Sequence, residues 1–117
     1  MIDIKIENLS VEKVNAFLKL ELTPKALRTI LQWLAGIFGS YTTDLYHIQA
    51  NKPIKWLQIK NSGDKPLSDT ATEMQWRITD EGQKEFRLEQ ALKIIKMQKE
   101  AVNRILKSMD SESIGQY

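Results

Sequence analysis

The sequence predicts an α+β fold that is mostly helical, with a three-helix core, a β-hairpin and a long C-terminal helix. Apolar residues recur at helical spacing in the first half of the chain and again after residue 80. Between these regions lie two segments rich in strand-forming residues, 54–60 and 74–79. A chain of 117 residues is the size of one domain. We expect that domain to cover residues 1–109, with a flexible tail at 110–117.

The first elements follow from local signals near the N-terminus. The segment "IDIKIEN", residues 2–8, alternates isoleucine with polar residues and predicts a first strand. Ser10 is a favourable N-cap for a first helix that ends near Leu22. Thr23 and Pro24 then combine a capping hydroxyl with a proline at the first helical position, so they predict the start of a second helix.

The next segment, "GIFGSYTTDLYHIQAN", allows two interpretations. Gly36 and Gly39 could form a turn, with Ser40 capping a third helix that ends near Asn51. Alternatively, one long helix could tolerate both glycines at a cost of roughly 1 kcal/mol each. We prefer the turn, and we expect Pro53 to close the helical region.

A β-hairpin is predicted after these helices. "PIKWLQIKN" is rich in strand formers, and "EMQWRIT" alternates Met74, Trp76 and Ile78 with polar residues. The intervening "SGDKPLSDTATE" has the glycine, proline and small polar residues of an exposed loop.

A long helix is predicted from Asp80 to Met109, with Thr79 as its N-cap. An apolar stripe at heptad spacing runs along it, interrupted only by Lys99. A helix of about 30 residues spans roughly 45 Å, which is more than a small domain can cover. We therefore predict a homodimer interface, with intramolecular core contacts as the alternative, at Leu88, Leu92, Ile95, Val102, Leu106 and Met109.

The segment "WRITDEGQKEF", residues 76–86, resembles the end of the wing in winged-helix transcriptional regulators of the PadR and MarR type. In those proteins a strand ends in an apolar residue, threonine, a polar pair and glycine, and a helix follows. The resemblance implies a winged-helix-like fold and a homodimeric regulator that binds double-stranded DNA. "ITDEG" also has a simpler interpretation, since a capping threonine with acids in the first turn can begin any helix.

If the resemblance holds, the third helix and the wing contact DNA. Base edges or phosphates would meet the polar side chains of Thr42, Thr43, Tyr46, His47 and Gln49. Backbone charge would be neutralised by Lys52, Lys55, Lys60 and Lys65. The alternative is that these are solvated surface residues, because residues 52–79 carry only five basic against three acidic groups.

No enzymatic chemistry is predicted. The single histidine, His47, has no cysteine or second histidine to share a metal, and the chain has no glycine-rich phosphate loop. We predict no catalytic residue, metal site or cofactor. Trp33, Trp56 and Trp76 could line a ligand pocket, but large core residues are the commoner role.

A second class of function is a small protein-interaction module, such as an adaptor, phage-type modulator or inhibitor. It would hold a protein partner through the long heptad helix or the "IFGSYTTDLYHI" region. The absence of cysteine favours the cytoplasm. The most apolar stretch, "ALRTILQWLAGIFG", is shorter than the roughly 20 residues that span a bilayer, so no membrane partner is expected.

Overall fold

In the computed structural model, residues 4–115 are described, with side chains up to residue 110. This part of the chain is helical and contains no strand segment. A short 3-10 turn, Ile6–Asn8, precedes four α-helices, whose bounds are α1 Val11–Phe17, α2 Pro24–Lys60, α3 Asp69–Ile78 and α4 Asp80–Gly115. The predicted α+β class, with its β-hairpin and winged-helix-like wing, is therefore wrong.

The predicted helix starts are confirmed. The hydroxyl of Ser10 accepts from the amide of Lys13 at 3.2 Å, and that of Thr23 accepts from the amide of Ala26 at 3.1 Å, with Pro24 as the first residue of α2. Helix α1 ends earlier than predicted, at Phe17. The first predicted strand lies partly outside the described residues, and its last part belongs to the 3-10 turn.

Helix α2 passes through both glycines and through Pro53, so the preferred turn and the separate third helix are wrong. No described residue has a positive φ, and a Cβ added to Gly36 or Gly39 would meet nothing within 4 Å. Both glycines thus occupy ordinary helical positions on the surface. Their helix propensity costs about 1 kcal/mol each, which the buried Ile30 and Leu34 on the same helix outweigh.

The two predicted hairpin strands are helical. The first forms the end of α2, where a helical spacing brings Lys52, Trp56 and Ile59 to the half-buried side. The second forms most of α3, in which Trp76 is only 1% exposed while Met74 and Ile78 are 64% and 68% exposed. An alternating strand would put all three on one face, so the tertiary burial of Trp76 decides against the strand.

A tight corner joins α3 to α4 through Thr79. The Thr79 hydroxyl accepts from the amide of Gly82 at 3.0 Å, which confirms the predicted cap, and it donates to the carbonyl of Trp76 at 2.6 Å. Gly82 is buried, and a Cβ built on it would lie 1.9 Å from the Trp76 carbonyl oxygen. "WRITDEG" is therefore a helix-to-helix corner that requires glycine.

The chain divides into two compact units. Unit 1 comprises residues 1–39 and 91–117, and unit 2 comprises residues 40–90. The described core of unit 1 is aliphatic and contains Ile4, Val14, Leu22, Ala26, Leu27, Ile30, Leu34, Ile95 and Val102. The buried side chains of unit 2 are Thr72, Trp76, Glu85 and Leu88.

Candidate interaction surface

The interior of unit 2 is organised by one lysine. The Lys52 ammonium lies 3.2 Å from Glu73 Oε1 on α3 and 3.2 Å from Glu85 Oε1 on α4. The indole N–H of Trp56 donates to Glu73 at 3.0 Å, and that of Trp76 donates to Glu85 at 3.2 Å. This lysine cluster therefore links three helical segments through charge-assisted hydrogen bonds.

The lysine cluster shifts the pKa values of Lys52 and Glu73. Desolvation alone would lower the pKa of Lys52, but the hydrogen bonds and negative charges of Glu73 and Glu85 raise it above its usual range. Desolvation would likewise raise the pKa of Glu73, but hydrogen bonds from Lys52 and Trp56, with the charge of Lys52, lower it below its usual range. Both groups are held in their charged forms.

Three of the four lysines predicted to contact DNA phosphates already have acidic partners. Besides Lys52, Lys55 pairs with Glu81 and Lys60 pairs with Asp69, and the Lys60 ammonium also lies 5.4 Å from the centre of the Trp56 ring. Lys65 is exposed in the loop between α2 and α3. Phosphates would have to displace carboxylates from most of these lysines, which weakens the electrostatic case for DNA.

The predicted base-reading residues lie on the middle of α2 rather than on a separate recognition helix. Thr42, Thr43, Tyr46, His47 and Gln49 are all exposed. The rings of Tyr46 and His47 meet edge to face with centroids 5.9 Å apart. The side-chain amide of Gln49 donates to Glu89 at 3.4 Å.

An uncharged strip occupies the outer side of α2 in unit 2. Tyr46, Ile54 and Leu57 are 68%, 66% and 52% exposed, and Ala50 and Pro53 are exposed between them. Their spacing places all five within a single arc of the helix, opposite Lys52. We call this arc the outer face of α2, and it consists of Tyr46, Ala50, Pro53, Ile54 and Leu57.

The stretch of α2 that carries the outer face has no charged residue outside an ion pair. From Tyr46 to Gln58 the only charged residues are Lys52 and Lys55, and both are in ion pairs with carboxylates of α3 or α4. The exposed positions of α4 differ, since they include Lys84, Arg87, Lys93, Lys96, Glu100 and Arg104. In a chain with 27% charged residues, three turns of exposed helix without a free charge form a distinct surface.

The stripe predicted to form a dimer interface is largely used within the chain. Leu88, Ile95 and Val102 are buried, while the remaining members, Leu92, Leu106 and Met109, are half-buried. Helix α4 begins at the predicted residue and continues to Gly115. A seam through all six residues would require α4 to leave these contacts.

A cleft between α1 and α4 in unit 1 has a buried polar side chain in its wall. It has a volume of about 370 Å³, and Leu18, Ile94 and Met97 contribute apolar walls. Gln98, 3% exposed, donates to the Val11 carbonyl at 2.8 Å and to Asn15 Oδ1 at 3.0 Å, which leaves its own Oε1 buried without a partner. These bonds fix the side chain as part of the packing of α1 on α4.

The tryptophans considered as a pocket lining have separate places. Trp33 belongs to unit 1 and is half-buried, while Trp56 and Trp76 belong to unit 2 and bind carboxylates. Within the described residues, no group of three or more histidine, cysteine or acidic side chains is arranged to hold a metal ion. No helix in that part of the chain combines the length and apolar character needed to span a bilayer.

No protein-family model matches the chain, and no curated protein or solved structure is significantly similar to it. The low charge of the outer face of α2 is visible in the sequence, because the segment from Tyr46 to Gln58 contains only two charged residues. What the sequence lacked was the pairing of both lysines with distant carboxylates.

Proposed function

We propose that this protein is a non-enzymatic protein-interaction module that binds another polypeptide through the outer face of α2. Of the two contact sites expected for such a module, the outer face overlaps the "IFGSYTTDLYHI" region at Tyr46 and does not use the long C-terminal helix. The single observation that carries it is the exposed apolar arc on a stretch of α2, from Tyr46 to Gln58, whose two charged residues are both in ion pairs. The centres of protein interfaces are likewise depleted of charge and enriched in residues such as tyrosine.

The size of this surface also favours a binding role. Monomeric proteins seldom expose contiguous apolar patches larger than a few hundred Å², and the largest patch is often functional. Tyr46, Ile54 and Leu57 are three large exposed side chains on this face, with Ile54 two turns after Tyr46 and Leu57 one turn after Ile54. Burying them against a partner removes apolar area from water, which is the main driving force for association.

The lysine cluster prepares this surface for binding. Lys52 and Lys55 lie between Ala50 and Leu57 in the sequence but on the other side of α2 from the outer face, and their ion pairs hold this part of α2 against α3 and the start of α4. A partner then meets a helix that is already formed. Little conformational entropy remains to be lost when it binds.

The regulator hypothesis receives less support than the interaction module. The described residues contain neither the wing nor the separate recognition helix on which that hypothesis depended. Lys52, Lys55 and Lys60 of α2 are paired with acids, and the outer face itself offers no cation to a phosphate. For the location we propose the cytoplasm, supported by the absence of cysteine.

Site-specific photo-crosslinking in the cells that naturally produce the protein tests the proposal. A photo-reactive phenylalanine derivative would replace Leu57 on the outer face in one variant. In the matched control it would replace Met97, which is 68% exposed on α4. We expect a covalent adduct of defined mass from position 57 and none from position 97.

Two results would contradict the proposal. One is a position 57 variant that gives no adduct although circular dichroism shows normal helicity. The other is the same adducts from both positions, which would indicate random collision. The mass of a genuine adduct also shows whether the bound chain is a second copy or a different protein.

A further inference from the structure

We infer that the polypeptide bound on the outer face of α2 is a second copy of this chain, packed antiparallel about a two-fold axis. The axis crosses the outer face between Ala50 and Pro53, at the height along the helix that is midway between Asn51 and Lys52. This inference rests on the proposed function and names the partner at that same surface. Three properties of the outer face support it: the order of side-chain sizes, the distribution of charge and the area available.

Four of the five residues of the outer face form two pairs of similar size that are symmetric about the midpoint between Asn51 and Lys52. Tyr46 lies as far before this midpoint as Leu57 lies after it, and Ala50 and Pro53 are likewise equidistant from it. An antiparallel two-fold therefore places Tyr46 against Leu57 of the second copy, and Ala50 against Pro53. Ala50 and Pro53 stand nearest the crossing point, where two helices approach most closely, and Tyr46 and Leu57 fill both ends. The fifth residue, Ile54, meets the exposed Gln49 of the second copy.

The distribution of charge suits self-association. In a two-fold interface the residues nearest the axis face their own copies, so a charge there meets a like charge and opposes binding. Lys52 is the charged residue nearest the proposed axis, and Glu73 and Glu85 hold it on the opposite side of the helix. The surface left at the axis is uncharged, which lets two copies meet without repulsion.

The available area sets the expected strength of this dimer. The residues from Tyr46 to Leu57 span roughly 16 Å of helix, and two such faces with their flanking residues bury on the order of 1,000 Å², near the lower limit for a specific interface. We therefore expect reversible association with a Kd of roughly micromolar or weaker.

Sedimentation equilibrium of the full chain over a wide concentration range tests the dimer. The double variant Ile54→Glu/Leu57→Glu puts carboxylates on both faces of the pair, so we expect its dissociation constant to rise at least about tenfold. The control Met97→Glu adds charge to an exposed apolar residue of unit 1, and its dissociation constant should match that of the wild type.

Disulfide trapping tests the antiparallel register, and the natural chain has no cysteine to interfere. A tagged Tyr46→Cys variant would be mixed with an untagged Leu57→Cys variant under mild oxidation. In the proposed register these two positions are opposite each other, whereas two copies of position 46 are roughly 16 Å apart along the helix. We expect the mixed disulfide to form about tenfold faster than either symmetric one.

The outcomes separate this inference from the proposed function. A wild-type chain that stays monomeric at every concentration, with a position 57 adduct whose mass shows a different protein, overturns the second copy and leaves the interaction module standing. A monomer with no adduct overturns both. A dimer in which symmetric disulfides form fastest overturns the antiparallel arrangement.

Discussion

The two units of this chain bury their interiors by different means. Unit 1 has an aliphatic core built from α1, α2 and α4, with Gln98 as its buried polar side chain among the described residues. Unit 2 buries Trp76 and Leu88 together with Thr72 and Glu85, and it places the lysine cluster beside them. The same two long helices, α2 and α4, contribute to both units.

The two interiors should be sensitive to different kinds of mutation. An aliphatic core is stabilised by the apolar area removed from water, so it responds to changes in side-chain volume. A buried ion pair adds little net stability compared with apolar residues, but removing one partner leaves an uncompensated charge. Unit 2 should therefore respond most strongly to the loss of single charges.

The largest effect is expected from Lys52→Met. This change leaves Glu85, which is 8% exposed, without its cationic partner. We expect a loss of about 3 kcal/mol in the free energy of unfolding, at the lower end of the range for buried pairs because part of Lys52 is exposed. Urea denaturation would measure the loss, and hydrogen exchange would locate it in residues 40–90.

Two further variants sharpen this prediction. Adding Glu85→Leu to Lys52→Met removes the stranded carboxylate and should recover most of the lost stability. Gln98→Met in unit 1 removes two hydrogen bonds to neutral partners but also a buried oxygen that has no partner, so it should destabilise the protein by only about 1 kcal/mol. If Gln98→Met proved as harmful as Lys52→Met, the proposed contrast between the units would be wrong.

A smaller effect is expected from Gly82→Ala at the corner between α3 and α4. The added methyl group would lie 1.9 Å from the Trp76 carbonyl oxygen, so the backbone must move. We expect a loss of roughly 2 kcal/mol, as for overpacked sites, measured by thermal denaturation. In the control, Gly36→Ala, the methyl group enters open space and should stabilise α2 by roughly 0.5–1 kcal/mol.

The smallest effect is expected from pH. Because the folded-state pKa of Glu73 lies below its ordinary value of 4.5, its stabilising contribution is complete above pH 4.5 and is lost as the pH falls through the lowered pKa. Lys52 has a raised pKa, so its contribution is complete below pH 10.5 and is lost at still higher pH. The contribution of these two groups to the free energy of unfolding should therefore be constant between pH 4.5 and pH 10.5.

Thermal denaturation of wild type and Glu73→Gln between pH 7 and pH 3 checks the acid limb. The melting temperature of the variant should fall less on acidification than that of the wild type. The variant lacks the Glu73 carboxylate, whose protonation destabilises the folded wild-type protein. Parallel curves for the two proteins would show that Glu73 does not contribute to the acid limb.

Features that depend on residues close together in the sequence were predicted correctly. The caps at Ser10, Thr23 and Thr79 were found because a hydroxyl and the amide it accepts from are three residues apart. The strands were misassigned because Met74, Trp76 and Ile78 alternate as a strand would, and only the tertiary burial of Trp76 distinguishes the helix.

The candidate site depended on contacts that no local pattern contains. Lys52 reaches Glu73 and Glu85, which lie 21 and 33 residues further along the chain. In the sequence alone, Lys52, Lys55 and Lys60 have no visible partners, and this favoured the prediction that they bind DNA phosphates. In the structure these lysines are paired, and the outer face of α2 carries no charge.

The corner at Thr79 makes this region of the chain sensitive to length. A single residue separates the end of α3 from the start of α4, so inserting or deleting one residue there would turn one helix by about 100° relative to the other. Trp76 would then rotate away from Glu85 and leave the interior. The loop from Asn61 to Leu67 has no such restriction, so insertions and epitope tags belong there.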